Sequence, residues 1–452
     1  MRPTWLEEAI QNKLATRAER GSLRVYPEYS TEAESSSIVR AASTAQVIDF
    51  SSNDYLGLAR DPEQKQMVEA RYQTLLHSQH HDPVLGATGS RLLSGDSTYV
   101  RQLEQRLADW HQRPAALIFN SGYDANLAVL SCIPCDFLLY DEYSHNSLRV
   151  GMRLSRKFRD REDELSSSFR HNSVQDLRKK IEQIIETNHD NKSRILVVVE
   201  SVYSMDGDVA PLRDMLDLAL EFGALVLVDE AHGLGIYGDD RGTNSRGTGV
   251  LAQWQLEAHP ALACSIHTFG KAAGCHGSVI CGTMALRQYL WNYGWPLVYS
   301  TSLPLHSLVA IECSYETMTS PKGKALRQHT QHLINLFRNL LHRRINSNNQ
   351  DHQSASKIYL LPSTSPIQAL VIPINGNQTC TDLCKRVWAI SEQRLLLYPI
   401  KSPTVPKGLE RIRIILHGHN TLAEVKMLVD YITQCLVELK LFDPRRVSHS
   451  RL

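Results

Sequence analysis

The segment Ile195–Asp208, ILVVVESVYSMDGD, sets five apolar residues in a row and turns polar at Glu200. A run this short, rich in β-branched residues and without alternation, reads as a strand covered on both faces. The polar turn after it, with Gly207 inside, marks the strand's carboxyl end. Ala115–Asn120 (AALIFN), Phe137–Asp141 (FLLYD), Leu225–Glu230 (LVLVDE) and the run Ala261–Ile266 have the same form. Amphipathic stretches lie between them, such as Val174–Thr187 with Val174, Leu177, Ile181, Ile184 and Ile185 on one helical face. Strand–helix alternation of this kind predicts an α/β fold with a mostly parallel sheet. Chemistry in such folds gathers at the carboxyl ends of the strands, where this chain keeps its polar residues.

Beyond residue 300 the pattern changes. Two helical stretches, Leu305–Met318 and Gly323–Ile345, lead through a polar break at Asn346–Ser356 to the strand candidates Ala369–Pro373 and Arg411–Leu416. A last amphipathic helix opens with the capping box Thr421-Leu422-Ala423-Glu424. The expected organisation is an N-terminal helix and arm over residues 1–55, a large domain over 56–300, a smaller C-terminal α+β domain over 301–441 and a tail over 442–452. The N-terminal stretch sets Leu6, Ile10 and Leu14 on one stripe beside Trp5 and is expected to pack on the body of the fold. Glu7, Glu8 and Glu19 make it a poor targeting peptide. The charge run Arg156–Ser168 reads as a solvated surface insertion.

Composition narrows the function classes. The 452 residues carry 49 basic and 48 acidic side chains and are 42% hydrophobic, an ordinary globular balance. Near-neutral charge argues against nucleic acid as a partner, and no apolar run reaches the roughly 18 residues of a membrane span. The nine cysteines are odd in number and scattered, so they read as reduced thiols. Cys132 and Cys135 form a CxxC with no second pair to complete a zinc site, and no metal is expected. The chain stops at Ser450-Arg451-Leu452, a variant of the Ser-Lys-Leu peroxisomal address, so a peroxisomal location is expected, and a cytoplasmic one if that address is silent.

Four groups and a histidine sit at strand ends. Lys271, in His267-Thr268-Phe269-Gly270-Lys271-Ala272, follows a buried strand, where desolvation favours the free amine that a Schiff-base lysine needs. Asp229, in Asp229-Glu230-Ala231-His232, leaves an apolar strand and needs a cationic or hydrogen-bonding partner. A protonated pyridine nitrogen is one such partner, with His232 near a ring oxygen. Asn120-Ser121-Gly122-Tyr123 turns a strand into a helix whose first amides suit a phosphate, with the hydroxyl of Thr268 beside them. Ser204, after Glu200, faces the same edge, and His145 offers a flat imidazole to a cofactor ring. Read alone, each has a plainer explanation: a loop lysine, a helix-capping aspartate, a serine–glycine turn, a polar turn, a surface histidine. Their joint occurrence at strand ends points to one cofactor site.

Together with SSNDYLGLA (Ser51–Ala59) and GSRLLSG (Gly89–Gly95), these motifs resemble the α-oxoamine synthases, a branch of the fold-type I pyridoxal-phosphate enzymes, from Leu23 to Leu439. The resemblance implies a fold-type I transferase using pyridoxal 5'-phosphate. Lys271 matches the lysine that carries the cofactor, Asp229 the partner of its ring nitrogen, His232 the residue at its ring hydroxyl and His145 the stacking histidine. Ser121, Gly122, Tyr123 and Thr268 match the phosphate site and Ser204 a serine at the ring edge. Ser300 and Thr301 match a segment reaching the phosphate of a second subunit, which implies a homodimer with shared sites. Arg413 matches the arginine that holds the amino-acid carboxylate. Arg24 and Lys401 match positions that meet the acyl substrate.

Within the branch, the serine after Gly89 and Phe269 in the lysine motif are similar to the members that join L-alanine to pimeloyl-CoA in biotin synthesis. Lys401 departs from an arginine usual there and loses its planar fork. The competing readings are another α-oxoamine synthase using glycine, serine or alanine with a different acyl-CoA, and a non-catalytic partner subunit, against which the presence of Lys271 counts.

Overall fold

In the computed structural model, the residues described are 5–19, 23, 38–40, 46–77, 85–155, 165–188, 193–238, 246–346, 358–373 and 376–441. The apolar runs form the strands β3 (Ala115–Phe119), β4 (Phe137–Asp141), β6 (Ile195–Glu200), β7 (Leu225–Asp229) and β8 (Leu262–Thr268), joined by β5 (Ser166–Phe169) and β9 (Ser278–Gly282). They make one seven-stranded sheet in the order β3-β9-β8-β7-β6-β4-β5, in which β9 alone opposes the other strands.

Strand β6 shows why a continuous apolar run is required. Val197 and Val199 enter a core with Leu177, Ile181, Met215 and Leu216 on one side of the sheet. Leu196 and Val198 enter the other, with Ala125, Val129, Leu148 and Met152. Successive side chains point to opposite faces, so a strand clothed by helices on both sides cannot alternate with polar residues. Each such burial stabilises the fold by about 2 kcal/mol. The helices Gly122–Cys132 and Asn146–Leu154 cover one face, and Val174–Asn188 and Leu212–Glu221 the other.

The C-terminal part has a four-stranded antiparallel sheet in the order β10-β11-β14-β13, formed by Tyr359–Leu360, Ile367–Val371, Arg411–Ile415 and Tyr398–Ile400. Leu370, Ile412 and Ile414 of this sheet pack with Phe337, Leu341, Val387, Val425 and Ile432 of the helices Pro321–Asn346, Gly376–Ile390 and Leu422–Glu438. The capping box of the last helix is present: Glu424 N donates to Thr421 Oγ1 at 3.2 Å, and Thr421 N to Glu424 Oε2 at 2.7 Å. Ile48 and Phe50 join this same core from the N-terminal arm.

Two expectations need correction. The N-terminal helix forms over Trp5–Glu19 but buries none of its residues: Trp5 is 68% exposed and Leu14 42%. Its stripe is one residue wide between charged flanks, which leaves little apolar area to gain by docking. The charge run is not all surface insertion, since Ser166–Phe169 is the edge strand β5, paired parallel to β4 with Phe169 buried. Small serines fit an edge strand, and the phenylalanine anchors its end. Of the rest of the run, Leu165 packs against the core beside β4, and residues 156–164 lie outside the described residues, as do Arg24 and the tail from 442.

Candidate active site

The carboxyl ends of β4, β6, β7 and β8 open on a cavity of about 280 Å³. Gly122, Tyr123, His145, Ser204, Asp229, His232, Thr268, Lys271 and Arg413 all line it. Parallel pairing explains much of this gathering, because β6 and β7 set Glu200 opposite Asp229, and β7 and β8 set Asp229 opposite Ile266. The helix Gly122–Cys132 starts at the same edge, so its first amides face the cavity.

Asp229 is buried and accepts two hydrogen bonds, from Ala231 N to Oδ1 at 2.9 Å and from Asn126 Nδ2 to Oδ2 at 2.8 Å. Asn126 Nδ2 also donates to Ser147 Oγ at 2.9 Å, and Ser147 Oγ lies 2.7 Å from His145 Nδ1. The histidine at the cavity wall is thereby linked to the aspartate at its floor through two side chains. Glu200 Oε1 accepts from His145 N at 2.6 Å. Burial, with the charge of Asp229 beside it, pushes the Glu200 carboxyl up to about 8, so it holds a proton at neutral pH.

Lys271 Nζ lies 2.7 Å from His232 Nε2. Burial and the charges of Lys271 and Arg413 keep His232 neutral. Tyr55 Oη sits 2.6 Å from His232 Nδ1 and donates to Asn53 Oδ1 at 3.1 Å. The Lys271 ammonium can only donate to Nε2, so a neutral His232 facing it carries its proton on Nδ1, toward Tyr55 Oη, which leaves the tyrosine proton for Asn53. Arg413 Nη2 reaches the same Asn53 Oδ1 at 3.0 Å, and Arg413 Nε donates to Ser204 O at 2.6 Å. One chain of contacts therefore joins the amine to the guanidinium across the cavity. Burial lowers Lys271 to about 8 against the opposing pull of the Asp229 charge, which leaves part of the amine unprotonated at neutral pH.

The donor set fits a pyridine ring bearing a phosphate. Asp229 is held as an acceptor, Asn126 Oδ1 is buried without a hydrogen-bond partner, and an imidazole and an amine line the same space. At Gly122 an added Cβ would sit 3.1 Å from Thr268 Cβ and 3.2 Å from its Oγ1, so the absence of a side chain lets the helix start close against that threonine. The amides of Gly122 and Tyr123 have no intrahelical acceptor and suit an anion.

Other expected residues lie elsewhere. Ser121 is the helix cap: its hydroxyl donates to Asp124 Oδ2 at 2.8 Å and accepts from Asp124 N at 3.0 Å, so it does not line the cavity. Ser300 and Thr301 meet Asn120, whose Nδ2 donates to Ser300 Oγ and Thr301 O, both at 2.9 Å, in a separate cleft. Lys401 follows β13 and is not among the lining residues. Asn53, Asn126 and Ser147 line the cavity without having been singled out, Glu200, marked only as a strand end, lines it too, and Tyr55 stands behind His232. A signal existed for Asn126, a polar residue four positions after Gly122 and so on its helical face. None existed for Ser147.

The family model for aminotransferase class I and II matches residues 45–432. The chain is 35% identical to an 8-amino-7-oxononanoate synthase of Emericella nidulans, across 87% of this chain and 90% of that one. It is 32% identical to the aminoacyl transferase sphA of Aspergillus fumigatus, across 85% and 80%. Its fold is similar to that of the serine palmitoyltransferase of Sphingomonas wittichii, with a TM-score of 0.77 at 24% identity over 98% of this chain and 100% of that one.

Proposed function

The chain belongs to the α-oxoamine synthases, within the class I and II aminotransferase family of pyridoxal-phosphate enzymes, and from that premise we propose that it condenses L-alanine with pimeloyl-CoA. The products are 8-amino-7-oxononanoate, coenzyme A and carbon dioxide, a step toward biotin. The observation that carries a condensation of this class is the contact chain Lys271–His232–Tyr55–Asn53–Arg413, which sets a base and a carboxylate grip in one cavity. The choice of alanine and pimeloyl-CoA is supported by the relative of that name and by the motif with Phe269.

When bound, pyridoxal phosphate supplies an electron sink for a carbanion at the amino-acid Cα. Asp229 would hold its ring nitrogen, His145 a ring face, His232 the ring hydroxyl, and Gly122, Tyr123 and Thr268 the phosphate. Arg413 holds the substrate carboxylate with the donors that Ser204 and Asn53 leave over. That grip points the Cα–H bond at Lys271, whose unprotonated Nζ takes the proton. His232 Nε2, 2.7 Å from Nζ, is the acceptor that steadies the resulting ammonium.

The likeness to a relative of another name, the aminoacyl transferase sphA, supports a second reading, another α-oxoamine synthase using glycine, serine or alanine with a different acyl-CoA. Holoenzyme titrated with L-alanine, glycine and L-serine, then given pimeloyl-CoA or palmitoyl-CoA with thiol release followed, separates them. The first reading expects alanine to perturb the cofactor's visible band best and pimeloyl-CoA to release coenzyme A. A serine response with release from palmitoyl-CoA would replace it.

The reading extends to assembly and location. A second copy of the chain would cover Leu93, within GSRLLSG, and Tyr299, next to Ser300, which are 84% and 81% exposed. The tail ending in Ser450-Arg451-Leu452 would direct the protein to peroxisomes. A fluorescent protein fused to the N-terminus is expected to concentrate in peroxisomes and to disperse when these three residues are deleted. Unchanged distribution after deletion would remove the address.

A further inference from the structure

One cluster beside the cavity has no part in the chemistry above. His171 follows β5, and its two ring nitrogens face carboxylates from different segments. Nδ1 lies 2.9 Å from Asp141 Oδ1 at the end of β4, and Nε2 lies 2.8 Å from Asp208 Oδ2. A ring with an acceptor at each nitrogen carries a proton on each. Burial pulls its pKa down, but the hydrogen bonds and charges of Asp141 and Asp208 prevail and raise it to about 10. Tyr143 stacks on the ring at 4.4 Å and Tyr203 meets it edge-on at 4.4 Å. Asn172 repeats the grip, with Nδ2 donating to Asp208 Oδ2 at 2.6 Å and its backbone N to Asp141 Oδ2 at 2.8 Å.

Asp208 closes the turn that begins at Tyr203: Tyr203 N donates to Asp208 O at 3.1 Å, and Gly207 N to Tyr203 O at 2.8 Å. The small domain holds the other side of this turn. Arg411 pairs with Asp206, Ser363 Oγ donates to Gly207 O at 2.7 Å, and Arg413 Nε donates to Ser204 O at 2.6 Å. Gly207 has φ +76°, and a Cβ there would collide with Ile367 O, so the turn has no slack against that domain. The carbonyl that orients Arg413 therefore belongs to a six-residue turn gripped from the large domain by His171.

We propose that His171 is a positioning residue for the amino-acid carboxylate: by clamping Asp208 it fixes the Ser204 carbonyl, and so the plane of the Arg413 guanidinium. The geometry makes the plane matter. With Nε committed to Ser204 and one Nη2 proton to Asn53, the remaining Nη1 and Nη2 protons meet a carboxylate end-on as a pair only while that plane is kept. The inference rests on Arg413 being the carboxylate site of the proposed reaction.

The test is a double-mutant cycle in the holoenzyme with His171→Gln, Asp208→Ala and both together. Amino-acid affinity is read from the cofactor's visible band, beside cofactor affinity, KM for both substrates, kcat and thermal midpoint. His171→Gln is expected to weaken amino-acid binding by about tenfold, the scale of one charged hydrogen bond. Cofactor affinity and acyl-CoA KM stay within about twofold, since neither depends on the Arg413 plane. Asp208→Ala removes the acceptor of His171 Nε2 and leaves the imidazolium paired with Asp141, so it serves if the first variant folds poorly. The double variant is expected to match the singles, because all three break one path. Amino-acid affinity unchanged in either single variant, or lost in step with cofactor affinity, would overturn the proposal. A wild-type holoenzyme that responds to no amino acid would overturn the reading of Arg413 and this inference with it.

Discussion

Lys271→Ala is expected to lower turnover by at least about 10³-fold while the fold and its thermal midpoint stay close to wild type. Loss of a positioned base alone is worth about 10²–10⁴, and loss of the covalent attachment adds to it. The fold should tolerate the change because the lysine belongs to no apolar core: its amine meets His232 Nε2 at 2.7 Å, while the neighbouring Ala272 and Ala273 fill the core. Protein with added pyridoxal phosphate should then lack the visible band that reports a covalent link, and gel filtration should be unchanged. Turnover within tenfold of wild type would take the base from Lys271.

Asp229→Asn should be the second largest loss, about 10²–10³ in turnover, the rate equivalent of breaking a buried charge pair. The carboxylate accepts from Ala231 N and Asn126 Nδ2 on its two oxygens. An amide has one oxygen, so its NH₂ must face one of those donors, and the negative charge toward the ring nitrogen is gone as well. Lys271 would also lose the charge that holds its ammonium up, so its titration should move to lower pH. Cofactor affinity by fluorescence quenching should fall at least tenfold, about 1.4 kcal/mol. A variant that keeps wild-type cofactor affinity and turnover would show that the ring nitrogen has another partner.

Much of the active site was legible because its residues stand where a local pattern changes. Asp229 and Glu200 end apolar strands, Gly122 breaks a strand into a helix, and Lys271 follows a buried run within a motif of small residues. Burial on both faces demands an unbroken apolar stretch, so the first polar residue after it must lie at a sheet edge. The same logic found the small domain's strands and the capping box at Thr421, whose partners are three residues apart.

What no local pattern could reveal depends on which strands are neighbours. The order β3-β9-β8-β7-β6-β4-β5 sets β4 beside β6, and only that adjacency brings Asp141 and His171 to Asp208. Tyr55 meets His232 across 177 positions of chain, and Asn53 meets Arg413 across 360. Charge density made Arg156–Ser168 look solvated, yet its last serines complete the sheet edge, and the amphipathic Trp5–Glu19 stripe formed its helix without finding a surface to cover. The sequence by itself determined the fold class and many of the residues that line the cavity, because strand burial and strand-end polarity are local, and the resemblance of its motifs supplied the cofactor. The tertiary structure alone decided how those residues are held, because a hydrogen bond between distant segments exists only once the sheet has ordered its strands.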